Sequence, residues 1–153
     1  LAKLGPEPLS ESFSPATLFR ALTKRSASIK ALLLSQRPVA GLGNIYVDES
    51  LWRARIHPLT TASRLSRRQC TRLHAVIVDV ITAAIAAQGT TLNDYRTVQG
   101  GVGEYGNQLD AYGHDGDPCG RCGTLIVKSV VAQRGTHHCP RCQRCVSGPI
   151  SAS

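Results

Sequence analysis

Apolar residues recur at helical spacing in four stretches of the chain. Leu73, Val76, Ile77, Val80, Ile81, Ala84 and Ile85 fall on one stripe and predict a long amphipathic helix over about 66–88. Ser66-x-x-Gln69 supplies a capping box at its start, and Gly89 stands where a C-cap belongs. Ser14 and Pro15 read as an N-cap and first-turn pair for a short helix through Leu18, Phe19 and Leu22. A second follows Ser28 with Ile29, Leu32 and Leu33, and stops before Pro38 because a residue preceding proline leaves the helical region. After Pro38-Val-Ala-Gly-Leu-Gly-Asn44 comes a helical stretch over 45–54, with Asn44 at the expected N-cap.

The remaining pattern is not helical. Leu4-Gly-Pro-Glu-Pro-Leu9 resists helix and suits an extended connector. Residues 90–106 are polar and glycine-rich and read as a mobile loop. Leu109 to Tyr112 reads as a short strand. From Gly123 the chain is β-branched up to Val131 and then turns polar, which predicts a β-hairpin with Gln133-Arg134-Gly135 at its tip. The expected class is mainly α with a small appended β-hairpin. Its parts are a linker (1–13), a helical domain (14–89), a loop (90–106), a cysteine module (107–145) and a tail (146–153). The chain opens Leu1-Ala-Lys3 and contains no methionine, so a fragment is expected.

The cysteines add chemistry. Cys119-x-x-Cys122 and Cys139-x-x-Cys142 stand sixteen residues apart, across Gly123 to His138. Each pair fits a tight turn that brings two thiolates to one metal at about 2.3 Å, and four sulfurs close a tetrahedral structural zinc site. Two disulfides are the alternative, but they suit a small secreted domain, and no signal peptide is evident. The hairpin buries too little apolar surface to fold alone, so the metal supplies much of its folding free energy. His137 and His138 are expected on the ribbon surface. Cys145 is a spare thiol, and Cys70 a buried apolar residue.

The formal net charge of +8 falls to about +6 once four thiolates hold a divalent zinc, and a chain so basic fits a polyanionic partner. No membrane partner is expected, since no apolar run approaches the roughly 18 residues that span a bilayer and the basic residues are dispersed, not arrayed on a Trp- or Phe-rich amphipathic helix. Gly41 and Gly43 permit positive φ or close backbone approach, and amides converge with the helix dipole at Asn44, as a phosphate site requires. Arg64, Arg68 and Arg72 recur every fourth residue, a pattern that could bind DNA but more often marks a solvated basic face, and they carry no assigned role.

The order of these parts resembles the C-terminal half of formamidopyrimidine-DNA glycosylases. The resemblance rests on Gly41-Leu-Gly-Asn-Ile-Tyr-Val-Asp-Glu-Ser50, Ile56-His-Pro58, Tyr112-Gly113 and the four-cysteine hairpin with Gln133-Arg134-Gly135. It implies a helix-two-turn-helix DNA-binding domain followed by a zinc finger, in a base-excision-repair enzyme that removes oxidised purines and cleaves abasic sites. It further implies that Lys30, Asn44 and Gly43 hold phosphates beside the damaged nucleotide. Arg25, with Lys24, lies nearest the position where family members carry another basic residue, close to Ser26. Arg134 would enter the minor groove, bind phosphates and assist δ-elimination.

By the same resemblance, Val98, Gln99, Gly100, Gly101, Val102, Gly103, Glu104 and Tyr105 would form the lid over a flipped base. The partner would be double-stranded DNA carrying an oxidised purine or abasic site, bound by a monomer in the bacterial cytoplasm at the nucleoid. The family's N-terminal proline nucleophile has no counterpart at Leu1, so the chain alone is expected not to excise a base. A non-catalytic zinc-ribbon adaptor for nucleic acid or protein is the alternative from another class. A ribosomal or RNA-binding module is a third, and it lacks the aromatics that base stacking uses.

Overall fold

The computed structural model describes residues 4–88 and 109–144. Four α-helices precede one β-hairpin: α1 (Pro15–Leu22), α2 (Ile29–Leu34), α3 (Asn44–Ala54), α4 (Arg67–Gln88), then β1 (Val127–Val131) and β2 (Arg134–His138). The mainly helical class with a small hairpin is therefore observed. The Gly89 cap, the 98–105 lid and Cys145 fall outside the described residues.

The predicted caps are present. The Ser14 hydroxyl accepts from the Thr17 amide while the Thr17 hydroxyl accepts from the Ser14 amide, a reciprocal box with Pro15 in the first turn. Ser28 caps α2 through the Ala31 amide. Ser66 and Gln69 bond reciprocally at the start of α4.

At α3 the expectation shifts by one residue. Gly43 is the N-cap, with extended backbone at φ −92°, and Asn44 is the first helical residue. Only Gly41 of the two glycines takes positive φ, at 91°. Freed from capping, the Asn44 side chain bonds elsewhere.

One core joins Leu18 and Leu22 of α1, Ile29 and Leu33 of α2, Tyr46 and Leu51 of α3, and Leu73, Ile77, Val80, Ile81 and Ala84 of α4. Contrary to the expectation that no apolar run is long enough, residues 67–87 of α4 contain an 18-residue window of mean hydropathy 1.6 and could cross a membrane by length and composition alone. Here the apolar stripe of that helix packs against α1 and α3.

The 4–9 connector forms no helix, but it is docked, and it turns at Pro8–Leu9, where the Ser10 amide donates to the Glu7 carbonyl at 3.1 Å. Gly5 N–H donates to the Gln36 carbonyl (2.7 Å) and Ala40 N–H to that of Pro6 (2.8 Å). A Cβ at Gly5 would stand 2.4 Å from the Arg37 carbonyl oxygen, so the close approach requires glycine.

A second, smaller core gathers Trp52 of α3 with Ala111, Cys119, Ile126 and Cys139. The hairpin is antiparallel, with Val131 opposite Arg134 and Val127 opposite His138. Its two-residue turn is Ala132-Gln133, both left-handed at φ 54° and 64°, so the tip lies one residue earlier than expected and Arg134 begins β2.

Leu109 to Tyr112 is a turn and not the expected strand. The amides of Asp110, Ala111 and Tyr112 all donate to the Glu49 carboxylate at 2.7–2.8 Å, which replaces a ladder partner.

Candidate nucleic-acid interface and metal centre

Helix α3 carries the connections that place Lys30, Asn44 and the strand of Arg134. At its N-terminus, the Asn44 Nδ2 donates to the Gly135 carbonyl at 3.0 Å, and the Lys30 ammonium donates to the same oxygen at 3.0 Å. Gly135 directly follows Arg134, so two donors from different helices fix the strand that presents this arginine. One turn further along α3, Asp48 Oδ1 pairs with Lys30 Nζ at 2.7 Å. Asp48 Oδ2 accepts from the His137 backbone amide at 3.0 Å and faces its Nδ1 at 3.1 Å, while Nε2 of the same ring faces Asp115 Oδ1 at 3.6 Å.

Lys30 and Asp48 are 0% and 1% exposed. Burial lowers the Lys30 pKa, Asp48 opposes this, and the nearby Arg134 guanidinium adds to the depression. A charge buried this deeply stays charged only while its partners hold it.

Asn44, Gly43, Tyr112 and Arg134 line a cavity of about 260 Å³, with Leu34, Gln36, Leu42 and Ile45 forming the rest of its wall. Arg134 is exposed, and the Asn44 Oδ1 is buried without a hydrogen-bond partner. The structure thus brings Gly43, Asn44 and Arg134 to one cavity. Lys30 lies behind it, inside the protein, and Arg25 is exposed away from its lining.

His137 and His138 are not on the surface; they are 5% and 8% exposed. Because β2 packs on α3, His137 is caught between Asp48 and the Tyr112 ring, whose centroid is 4.8 Å away. His138 lies edge-on to His57 at 4.4 Å. Burial and then the neighbouring His138 push the His57 pKa down to about 4.

The four predicted cysteines converge, with all ligand atoms within 4.8 Å of one another. The Sγ–Sγ distances of 3.5 Å (Cys122 to Cys139), 3.7 Å (Cys122 to Cys142) and 3.8 Å (Cys119 to Cys142) far exceed a disulfide bond. They match the roughly 3.8 Å edges of a tetrahedron with 2.3 Å metal–sulfur bonds. The cage fits one zinc ion.

Amides of Arg121 and Cys142 donate to the Cys119 and Cys139 sulfurs at 3.4 and 3.3 Å, supporting thiolate ligands. Hydrogen bonds from Thr124 bring the Cys122 pKa down to about 6, while burial pushes the Cys139 thiol up to about 12. Bound zinc would hold both as thiolates. With four sulfurs the ion is fully coordinated and serves to fix the fold.

Sequence reasoning missed the groups that dock this module. The Arg121 guanidinium lies 3.6 Å from the Trp52 ring centroid and donates to the Trp52 carbonyl. The buried Gln143 bridges Cys139 N–H (2.8 Å) and the Ile56 carbonyl (3.0 Å). Asp48 and Glu49 carried one readable signal, being the only acidic residues between Glu11 and Asp79.

A helical domain whose inter-helix turns meet a four-cysteine hairpin is a helix-two-turn-helix protein with a zinc finger. The family model described as the formamidopyrimidine-DNA glycosylase H2TH domain matches residues 4–96, and the model of the zinc finger found in FPG and IleRS matches residues 116–144. The chain belongs to the formamidopyrimidine-DNA glycosylase family.

It is 54% identical to the formamidopyrimidine-DNA glycosylase of Geobacillus kaustophilus over 144 residues, 94% of this chain and 53% of that protein. It is 50% identical to the Enterococcus faecalis protein over 92% of this chain and 50% of the relative. The chain therefore spans about half the length of the curated relatives it matches.

Among solved structures, it is similar to Lactococcus lactis Fpg bound non-covalently to DNA containing an AP site. The TM-score there is 0.82 at 42% identity, covering 93% of this chain and 51% of that one. It is similar also to MutM from Thermus thermophilus, with a TM-score of 0.82 at 43% identity, covering 95% and 55%.

Proposed function

We propose that this chain is the DNA-holding part of a bifunctional DNA glycosylase and abasic-site lyase that removes oxidised purines from duplex DNA. The observation that carries this reading is the locked presentation of Arg134: Lys30 and Asn44 clamp the Gly135 carbonyl beside it, at the rim of a cavity that Asn44 and Gly43 also line. The solved relatives support it, since they include Lactococcus lactis Fpg with abasic-site DNA and MutM in complex with carbocyclic 8-oxo-G containing DNA.

In this reading Arg134, the Asn44 side chain and the Gly43 backbone contact phosphates flanking the lesion. Arg134 also assists δ-elimination, as the family resemblance implies. Lys30 is a positioning residue, because its ammonium is buried and engaged by Asp48 and Gly135. The 98–105 loop covers the extruded base, and Arg25 contacts the duplex further out. In this reading the chain's own part is to bind and hold the duplex, without excising a base by itself. The protein works as a monomer on DNA in the bacterial cytoplasm, at the nucleoid, with no membrane partner.

Equilibrium binding of the zinc-loaded chain to duplexes with and without a tetrahydrofuran abasic analogue tests this. The expected result is tighter binding to the analogue, weakened by about 1 to 3 kcal/mol in Arg134→Gln, the range of one charge-assisted contact. Identical affinity of variant and parent for the analogue would remove Arg134 from the site.

A further inference from the structure

Between positions 12 and 78 the only acidic side chains are Asp48 and Glu49, and both are buried. Nine Lys and Arg side chains in the same stretch are exposed, so the surface it contributes carries no carboxylate. Its densest part lies away from the cavity. The Ser63 amide donates to the Arg25 carbonyl at 3.0 Å, which puts Arg25 beside Arg64. The Arg67 guanidinium sits 4.3 Å from the Phe19 ring centroid, next to Arg20, and Arg68 follows it. Arg67 and Arg68 occupy the first turn of α4, which has no acidic residue and where the helix dipole disfavours cations. Among the described residues no carboxylate pairs with Arg25, Arg64, Arg67 or Arg68. A solvated face that served only solubility would mix both signs.

We propose that Arg25, Arg64, Arg67 and Arg68 form a second phosphate-contacting strip, separate from the Asn44–Arg134 cavity, that takes the backbone of duplex DNA independently of any lesion. Duplex phosphate is the occupant that fits, because a line of uncompensated guanidiniums matches a regular line of single negative charges. The Ser28–Thr61 bridge and the Ile29 amide's bond to the Thr60 carbonyl (2.7 Å) join this strip to the start of α2, the helix whose buried Lys30 clamps the Gly135 carbonyl. The inference rests on the DNA-binding reading above but not on recognition of damage. The strip gives the protein a grip on undamaged duplex.

The test is the salt dependence of binding by the zinc-loaded chain to a long lesion-free duplex, compared with the Arg64→Gln/Arg68→Gln double variant. Both residues are exposed, so thermal melting should not move. The slope of log affinity against log salt should fall by roughly 0.9 per lost phosphate contact, close to about 1.8 in total, while the preference for an abasic analogue persists. An unchanged slope overturns the strip. So does an unchanged slope accompanied by weaker binding to poly-glutamate, which would assign the surface to an acidic protein. Arg134→Gln run in parallel separates the two claims: loss of analogue preference belongs to the cavity, and loss of salt slope on plain duplex belongs to the strip.

Discussion

Lys30 and Asn44 donate to one oxygen, the carbonyl of Gly135, each at 3.0 Å. Two helices thereby hold the strand that begins with Arg134, although Gly135 follows Asn44 by 91 residues and Lys30 by 105. Because Lys30 is also the partner of Asp48, the same ammonium ties α2, α3 and β2 together.

Removing that ammonium leaves Asp48 buried and uncompensated. Lys30→Met should cost about 3 to 5 kcal/mol, the range for breaking a buried pair from one side. Lys30→Met/Asp48→Asn should recover part of the loss, since asparagine keeps an acceptor for the His137 amide without the charge. Urea unfolding of the zinc-loaded proteins checks both values.

Glu49 satisfies three consecutive amides that would otherwise be buried without acceptors. Burial raises its pKa, and the three amides pull the other way. Glu49→Ala should destabilise by at least about 3 kcal/mol. It should also speed hydrogen exchange at Asp110, Ala111 and Tyr112 selectively. Unchanged exchange at those amides would show that the turn stands without its carboxylate.

Much of this was readable beforehand, for identifiable reasons. Cap chemistry and the α4 stripe are local, so Ser14, Ser28, Ser66 and Leu73 through Ala84 could be placed from spacing alone. The metal cage was legible because thiolate geometry constrains cysteine spacing. Long-range polar contacts were not. Nothing local to Asn44 says that its amide will seek Gly135 instead of its own helix, and the burial of His137 and His138 depends on β2 packing against α3. The 109–112 turn looked like a strand because its true partner is a side chain 61 residues away in sequence.

His57 carries a pH dependence. Its folded pKa, about 4, lies below the ordinary 6.5, so the unfolded chain binds the extra proton in between. The stability it contributes is complete above about pH 6.5 and is lost as pH falls toward 4, by at most about 3 kcal/mol. The Leu59 amide donates to its Nδ1 at 3.0 Å, which needs that nitrogen unprotonated. His138, also lowered by burial, acts in the same direction. His57→Gln should flatten thermal stability between about pH 6.5 and 4; an unaltered slope would assign the dependence to other groups.

The cysteine cage and the Arg134 hairpin form one module, docked on Trp52 and Ile56, so losing the metal should loosen the arginine along with the fold around it. The most direct measurement is fluorescence anisotropy of the zinc-loaded chain with duplex carrying a tetrahydrofuran abasic analogue or none, across a salt series, before and after chelation of zinc. A preference for the analogue that disappears on chelation and returns with added zinc is the predicted result. Equal binding to both duplexes while zinc is present, or a preference that survives its removal, would contradict the claim that the metal-held hairpin recognises the lesion.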